Sequence, residues 1–543
     1  MGKDGLTHPI IAGYVPEAIR PLVSPNGYDC ASMAGYLSTT TACIIEMMVP
    51  MQGMLRGNYV TTVPALLRSL ADMSINMVSR GLLVQYATLS WDFQPRDPMK
   101  DEVSSDRDEQ TISNPLFKKM RDSLEFKQSV YRQILDHFAH HVPMRPGIAI
   151  FLSGLIPCCG DPDVMIPPPA GMDNISSTTM DLLRAGRMPV AIRVTPDGVR
   201  EILSPHDVLK PRENLLVLPV SPDDWRTSCP EADHDIILWM MIYLCCHRAD
   251  ASSETLDARP RNLGHQLVIF CEDNDVFVSA LVNLEMAMPS MCIDAESEEA
   301  LRTAQIYYVH DHTVGYLYKD GVPGGVFDPR SGQRACQVIK LKTVLRVLQE
   351  TLGNRVFNKL GCGPLMFFLT LLLCRDHDYH KGAFIPGTNL LDILNGAIAR
   401  AKTWDPRNEL FIFDKAPAPN STVFTPFDSI GVTVNFANLR EFMVLACTNT
   451  GAHKKLEWKS DALFRAHAKR LSLWLSAELN RWKFGWKMPH AAACGVRDGN
   501  PYSLYGYKMV SDKKGVMCVP QCESDAADVR DYYEIPAQPR THQ

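Results

Sequence analysis

Three short stretches of the chain bring carboxylates together at spacings that could do chemistry. "CPEADHDI" supplies Glu231, Asp233 and Asp235, "CEDND" supplies Glu272, Asp273 and Asp275 at the end of the apolar run "HQLVIF", and "GLLVQYATLSWD" ends in Asp92. Carboxylates crowded at the end of a buried strand repel one another and are costly to desolvate, unless a cation or a proton is shared among them. If the clusters converge, the natural partners are hard divalent cations with oxygen ligands. Two such ions about 3.5 to 4 Å apart activate water and stabilise the leaving oxygen of a phosphodiester, so phosphodiester hydrolysis is the leading chemistry. The alternative is that the acids are separate solvated ends of strands and helices. One or two acids in a first helical turn are favourable by about 0.3 to 1 kcal/mol each and need no further explanation.

The elements that must position these acids alternate. The apolar runs ending at Asp92, Asp273 and Asp275 read as strands, as does "NLLVLPVSPDDW" leading on to Glu231, and "PLFKKMRDSLEFKQSVYRQILDHF" (115–138) and "DHDIILWMMIYLCC" (233–246) read as helices. This alternation predicts an α/β fold with a mainly parallel twisted sheet flanked by helices, where ligands gather outside the carboxyl ends of the strands. The acidic stretch 97–112 and the segments "IPPPAGMD" and "DGVPGGVFDPRSG" read as loops, while "AQIYYVHDHTVGYLYK" reads as a pair of strands.

The chain has 543 residues and a net charge of -6, which gives no global attraction to polyanions, so a nucleic-acid partner must be met by local basic patches. The runs "IILWMMIYLCC" and "PLMFFLTLLLC" fall short of the roughly 20 residues that cross a bilayer, and the first residues carry no signal-peptide pattern. No membrane partner is expected, and a nuclear or cytoplasmic location is. Sixteen cysteines without a C-x-x-C pair read as reduced, buried thiols. His310 and His312 alternate on one strand face without further ligands, and the chain has no P-loop, dinucleotide fingerprint or nucleophile elbow.

Taken in order, "MGKDGL…VPEAIR", "LSWDFQPRDP", "PEADHDI", "CEDND" and "LLLCRDHDYHKGAFIPG" resemble the motifs of the structure-specific 5′ nucleases of the flap endonuclease and XPG type, a PIN-like fold. The resemblance spans about residues 1–400 and suggests a divergent, viral-type member. It implies two Mg2+ ions, with Mn2+ as the substitute, held by Asp29, Asp92, Glu231 and Asp233 on one side and Asp273, Asp275 and Asp378 on the other. Sliding the alignment by one residue puts Cys30 in place of Asp29, and Asp376 is the neighbouring alternative to Asp378. Gly2 matches a glycine that the family places near its active site. Gly387 matches the hairpin turn that holds the DNA backbone, although Asn389 replaces the second glycine there. The implied organisation is a nuclease domain over 1–400. It comprises an N-terminal region (1–140), an insertion (141–212), an internal region (213–290), a second insertion (291–355) and a helical hairpin region (356–400). A C-terminal extension follows over 401–543.

A nuclease must also neutralise phosphates. Lys118, Lys119 and Arg121 fall where the family has a helical gateway, whose basic residues reach the scissile phosphate; a solvated amphipathic face is the alternative. The stretch 453–487 has nine Lys and Arg against three Asp and Glu, with four of the chain's eight tryptophans. Lys454, Lys455, Lys469, Arg470 and Trp482 make it a candidate surface for single-stranded nucleic acid, where rings stack on bases. The expected activity is metal-dependent cutting of nucleic acid, leading with DNA that carries a single-stranded 5′ end or junction and leaving a 5′-phosphate. Messenger RNA, cut by the related host-shutoff type, and a non-catalytic nucleic-acid-binding scaffold are the alternatives. "VRDYY" near the C-terminus lacks the glutamine of a sliding-clamp-binding peptide, so no clamp is expected.

Overall fold

The computed structural model describes residues 42–75, 85–91, 113–155, 175–184, 189–211, 232–248, 266–271, 274–284, 304–310 and 337–342, with short stretches between 345 and 445 and the segments 507–512 and 515–520. The strands that matter for function are β1 (Ala42–Glu46), β2 (Tyr86–Ser90), β3 (Ala149–Ser153), β4 (Val190–Val194) and β5 (Arg200–Leu203). A small antiparallel pair, β6 (Leu209–Pro211) with β7 (Cys246–Arg248), stands apart from the main sheet. β8 (Gln266–Phe270), β9 (Gln305–His310) and β10 (Gln337–Lys340) complete the set. The longer helices are α1 (Met48–Arg56), α2 (Val63–Ile75), α3 (Pro115–Asp122), α4 (Leu124–His140), α5 (Ser177–Arg184), α6 (Ala232–Cys245) and α7 (Asn274–Val282).

Eight strands form one mixed sheet in the order β10-β9-β8-β1-β2-β3-β4-β5. The five central strands, β9 to β3 in that order, pair in parallel, and antiparallel β10 on one side and β4 and β5 on the other extend the sheet. The protein is therefore an α/β protein with a mostly parallel sheet, as the alternation of runs predicts. Its central strands are short and apolar on both faces, the pattern of parallel strands covered by helices on each side. The stretches 141–212 and 291–355, expected as insertions, supply β3, β4, β5, β9 and β10 to this sheet.

Period-2 alternation divides the strands between two layers. Cys43, Ile45, Ala87, Leu89, Ile150 and Leu152 face a core that includes Leu66 and Leu70 of α2 and Val130, Ile134 and Phe138 of α4. On the opposite face Phe151 packs against Trp239 of α6, with ring centroids 4.9 Å apart, and also contacts Tyr243. Helix α6 carries nine consecutive buried apolar residues, Ile236 to Leu244, so it is covered on every side and packs on β1, β2, β8 and α7.

The pattern over 115–138 predicts one helix, and two are found. The first opens in the expected way, with Asn114 Oδ1 accepting from the backbone N–H groups of Leu116 and Phe117 and Pro115 in the first turn. The break falls at Ser123, whose extended backbone frees its hydroxyl to accept from Phe126 N and start α4 afresh. A serine that satisfies a helix-opening N–H competes with its own continuation of the previous helix.

At the far end of α4, Asp136 ties α5 to the fold. Its Oδ1 accepts from the Ser176 N–H at 3.0 Å, the Ser176 hydroxyl at 2.7 Å and the Thr179 hydroxyl at 2.8 Å. Burial pushes the Asp136 pKa up, but the hydrogen bonds from Ser176 and Thr179, with the neighbouring His140, outweigh it and leave the value lowered. A depressed folded-state pKa contributes stability above the ordinary aspartate value and loses it as pH falls through the depressed one. Asp136→Asn is therefore expected to lose about 1 to 2 kcal/mol at neutral pH. In denaturant titrations the gap between wild type and variant should close as the pH falls below the ordinary aspartate range and through the depressed Asp136 value.

Candidate functional site

Among the central strands, the order of the sheet reverses between β8 and β1. From β1 the chain steps outward to β2 and β3, whereas from β8 it steps the other way to β9. Crevices at such a reversal, outside the carboxyl ends of the strands, are where open α/β sheets bind ligands. Here the strand ends are polar. Glu46 closes β1 and pairs in register with Ser90, which closes β2 and pairs with Ser153, which closes β3. Cys271 follows the last residue of β8, next to Glu46. A row of four polar side chains thus runs across four parallel strand ends, on the face that carries α6, and all four are buried.

Each is satisfied by a partner remote in sequence. The Cys271 thiol donates to Glu46 Oε2 at 2.8 Å. The hydroxyls of Ser90 and Ser153 donate to Asp235 Oδ2 and Oδ1 at 2.7 and 2.8 Å, and Asp235, in the first turn of α6, is fully buried. One step further down β2, the Thr88 and Tyr243 hydroxyls meet at 2.7 Å. The N-terminus of α6 accordingly lies over the carboxyl edge of the sheet, and half-buried Asp233 stands in the same first turn, two residues before Asp235. Asp275 lies in the first turn of α7, which opens just beyond β8, and so stands at the same edge. By contrast Cys43 sits on the other face, where burial pushes its thiol well above the ordinary range and keeps it protonated.

No family model, curated protein or solved structure matches this chain.

Of the seven expected metal ligands, Asp233 and Asp275 fall within the described residues, at neighbouring helix starts on the carboxyl edge. Asp29, Asp92, Glu231, Asp273 and Asp378 lie outside them, as do Gly2, Gly387, Lys454, Lys455, Lys469, Arg470 and Trp482. Among the described residues no three potential metal-ligating side chains converge. Two carboxylates to which the motifs assign no role are placed here, Glu46 in the row and Asp235 against it. Asp235 is legible in the sequence only as one of three acids at a helix start. Glu46 belongs to none of the motifs, although "ACIIE" has the same form as the other runs, an apolar strand that delivers an acid at its end.

The expected cations are also placed. Tyr131 on α4 donates to Met48 Sδ at 3.4 Å, and Met48 opens α1 just beyond the end of β1, so this level of α4 matches the carboxyl edge. Lys127 lies one turn earlier, its ammonium 5.6 Å from the Tyr131 ring centroid, and α3 precedes α4 in the chain. Lys118, Lys119 and Arg121 are exposed on α3; Lys119 sits 4.3 Å from the Phe126 ring centroid and Arg121 pairs with Asp122 at 2.9 Å. The structure adds exposed Arg56, whose guanidinium stands 5.9 Å from the Phe117 ring centroid.

The edge itself depends on a close backbone approach. Trp91 N donates to Ser153 O at 3.0 Å, and Gly154, with φ of 72°, follows directly. A Cβ there would stand 1.9 Å from the Trp91 carbonyl oxygen. Gly154→Ala is expected to cost roughly 2 to 4 kcal/mol from the left-handed backbone and the forced displacement together. Gly147→Ala, at φ of 83° with open space around it, should cost only about 1 to 2 kcal/mol. Parallel denaturation curves check the difference.

Proposed function

We propose that the chain is a divalent-metal-dependent phosphodiesterase acting on nucleic acid, of the 5′-nuclease type with a PIN-like sheet. The observation that carries this reading is the buried polar row at the reversal point, with Glu46 on the central strand and the first turns of α6 and α7, bearing Asp233 and Asp275, brought to the same edge. An acid at the end of the first strand is what the resemblance asks of Asp29. Glu46 is the residue that closes the first strand of the sheet among the described residues, and we assign it that role.

The residue types suit a hard cation: carboxylates on element ends along one edge of the sheet, beside hydroxyls rather than imidazoles. Glu46, Asp233 and Asp275 would hold the ions together with Asp92, Glu231 and Asp273. Bound there, two Mg2+ ions supply an activated water and neutralise charge on the departing 3′-oxygen. The remaining tasks belong to the chain. Exposed cations on α3 and at the end of α1, with half-buried Lys127 on α4, neutralise phosphates and draw the strand toward the edge. The apolar α6 shields the row from bulk water on one side.

Labelled 5′-flap DNA, nicked duplex and single-stranded RNA, incubated with Mg2+, test this directly. Wild type should cut at least one of them and stop on chelation, and Glu46→Gln and Asp233→Asn should each lower kcat by 100-fold or more, on the order of what removing a transition-state charge partner costs. Equal cutting by wild type and Glu46→Gln would remove Glu46 from the site, and no cutting of any substrate would favour a binding scaffold. Lys118→Ala with Lys119→Ala should raise KM and flatten its salt dependence by about one unit of slope for each phosphate that the lysines no longer neutralise.

A further inference from the structure

Helix α6 presents a register problem. Nine successive residues from Ile236 to Leu244 are buried and apolar, so no apolar stripe tells the helix which way to face. A shift by one residue rotates it by about 100° and moves it by about 1.5 Å, yet would still bury apolar side chains throughout. The same shift would carry Asp235 away from both serine hydroxyls and leave a buried carboxylate without them. Buried polar contacts of this kind are best attested as devices that select one register among several apolar packings.

We infer that the Ser90–Asp235–Ser153 bridge is such a device, and that it fixes α6 so that Asp233 stands at the strand ends in a position to bind a divalent cation. The inference rests on the nuclease reading for the ligand and on the hydrogen-bond geometry for the bridge. Asp235 is then a positioning residue and not a cation ligand: both of its oxygens are engaged, one by each strand end, at 2.7 and 2.8 Å, and it is fully buried. Serine hydroxyls from two adjacent strands define the rotation of the helix. The Thr88 to Tyr243 contact at 2.7 Å, lower on β2 and two turns along α6, defines its height. Tyr243 can reach back to it because long helical side chains lean toward the helix N-terminus.

The test uses the full chain, comparing wild type with Ser90→Ala/Ser153→Ala, Asp235→Asn and Asp233→Asn. Mn2+ affinity is read by electron paramagnetic resonance and amide exchange is followed over residues 232–245. The double serine variant should exchange faster in the first turns of α6 and bind Mn2+ roughly 10- to 100-fold more weakly, the usual effect of removing a group that orients a metal ligand. Its Mg2+ requirement for cleavage should rise with little change in kcat at saturating Mg2+. Asp235→Asn, whose amide can accept from one hydroxyl and donate to the other, should keep most of the Mn2+ affinity that Asp233→Asn loses.

Unchanged exchange in the double variant would overturn the bridge, as would faster exchange with unaltered Mn2+ affinity. Asp235→Asn losing as much affinity as Asp233→Asn would make Asp235 a ligand and overturn its positioning role. A wild-type chain that binds no Mn2+ would instead overturn the nuclease reading, with the exchange data still deciding whether the bridge sets the register.

Discussion

Parallel pairing in a common register is the constraint on which the structure depends. Because β8, β1, β2 and β3 run in the same direction and are aligned residue by residue, their last positions fall in one line, and side-chain alternation then puts Cys271, Glu46, Ser90 and Ser153 on the same face. A slip of one residue in any strand would turn its polar end into the apolar layer beneath, against Leu89, Leu152 and α4. Apart from Thr88 in β2, the interior of each of these strands is apolar on both faces, so the register is recorded chiefly in these end residues.

The cost of that arrangement is the burial of two carboxyl groups. Glu46 and Asp235 are carboxylates with exposures of 8% and 0%, and the partners that reach them from the strand ends are a thiol and two hydroxyls, which are neutral. Neutral donors lower the desolvation cost of a carboxylate without cancelling its charge. These donors hold the carboxylate oxygens in place at the mouth of the sheet, near where α6 and α7 begin. The basic residues of α3 and α4 stand on the other layer, on the face of the sheet opposite α6, so both signs of charge reach the carboxyl edge from different sides.

Much of this scaffold is legible in the sequence because it is written in local patterns. Alternating apolar runs and helical periodicity imply an α/β sheet, and the helix expected over 233–246 is found over 232–245. The strand ending before Asp92 and the strand ending before Glu272 are found as well. What stays hidden depends on pairs distant in the chain. Asp235 and Ser90 are 145 residues apart, Glu46 and Cys271 are 225 apart, and no spacing rule connects them. Glu46 is obscured for a different reason: the resemblance directs attention to an acid near the first residues, whereas the strand itself is five residues long and shows no alternation. The break at Ser123 is masked by continuous helical periodicity, although the serine that causes it is visible.

An all-apolar helix placed beside acidic residues would ordinarily be a poor way to hold a site, since apolar packing tolerates many orientations. The structure resolves this by separating two tasks along α6. Residues 236–244 provide burial and hold the helix on β1, β2 and β8, while Asp235, one residue before them, chooses among the packings that burial alone would allow. Asp233, two residues earlier and half-buried, is left at the edge. Three acids in the sequence "EADHD" therefore need not share one role, because two residues along a helix turn a side chain by about 200°. Acids that read as a single set by composition are parted by helical geometry, and the one held by both serines serves the scaffold.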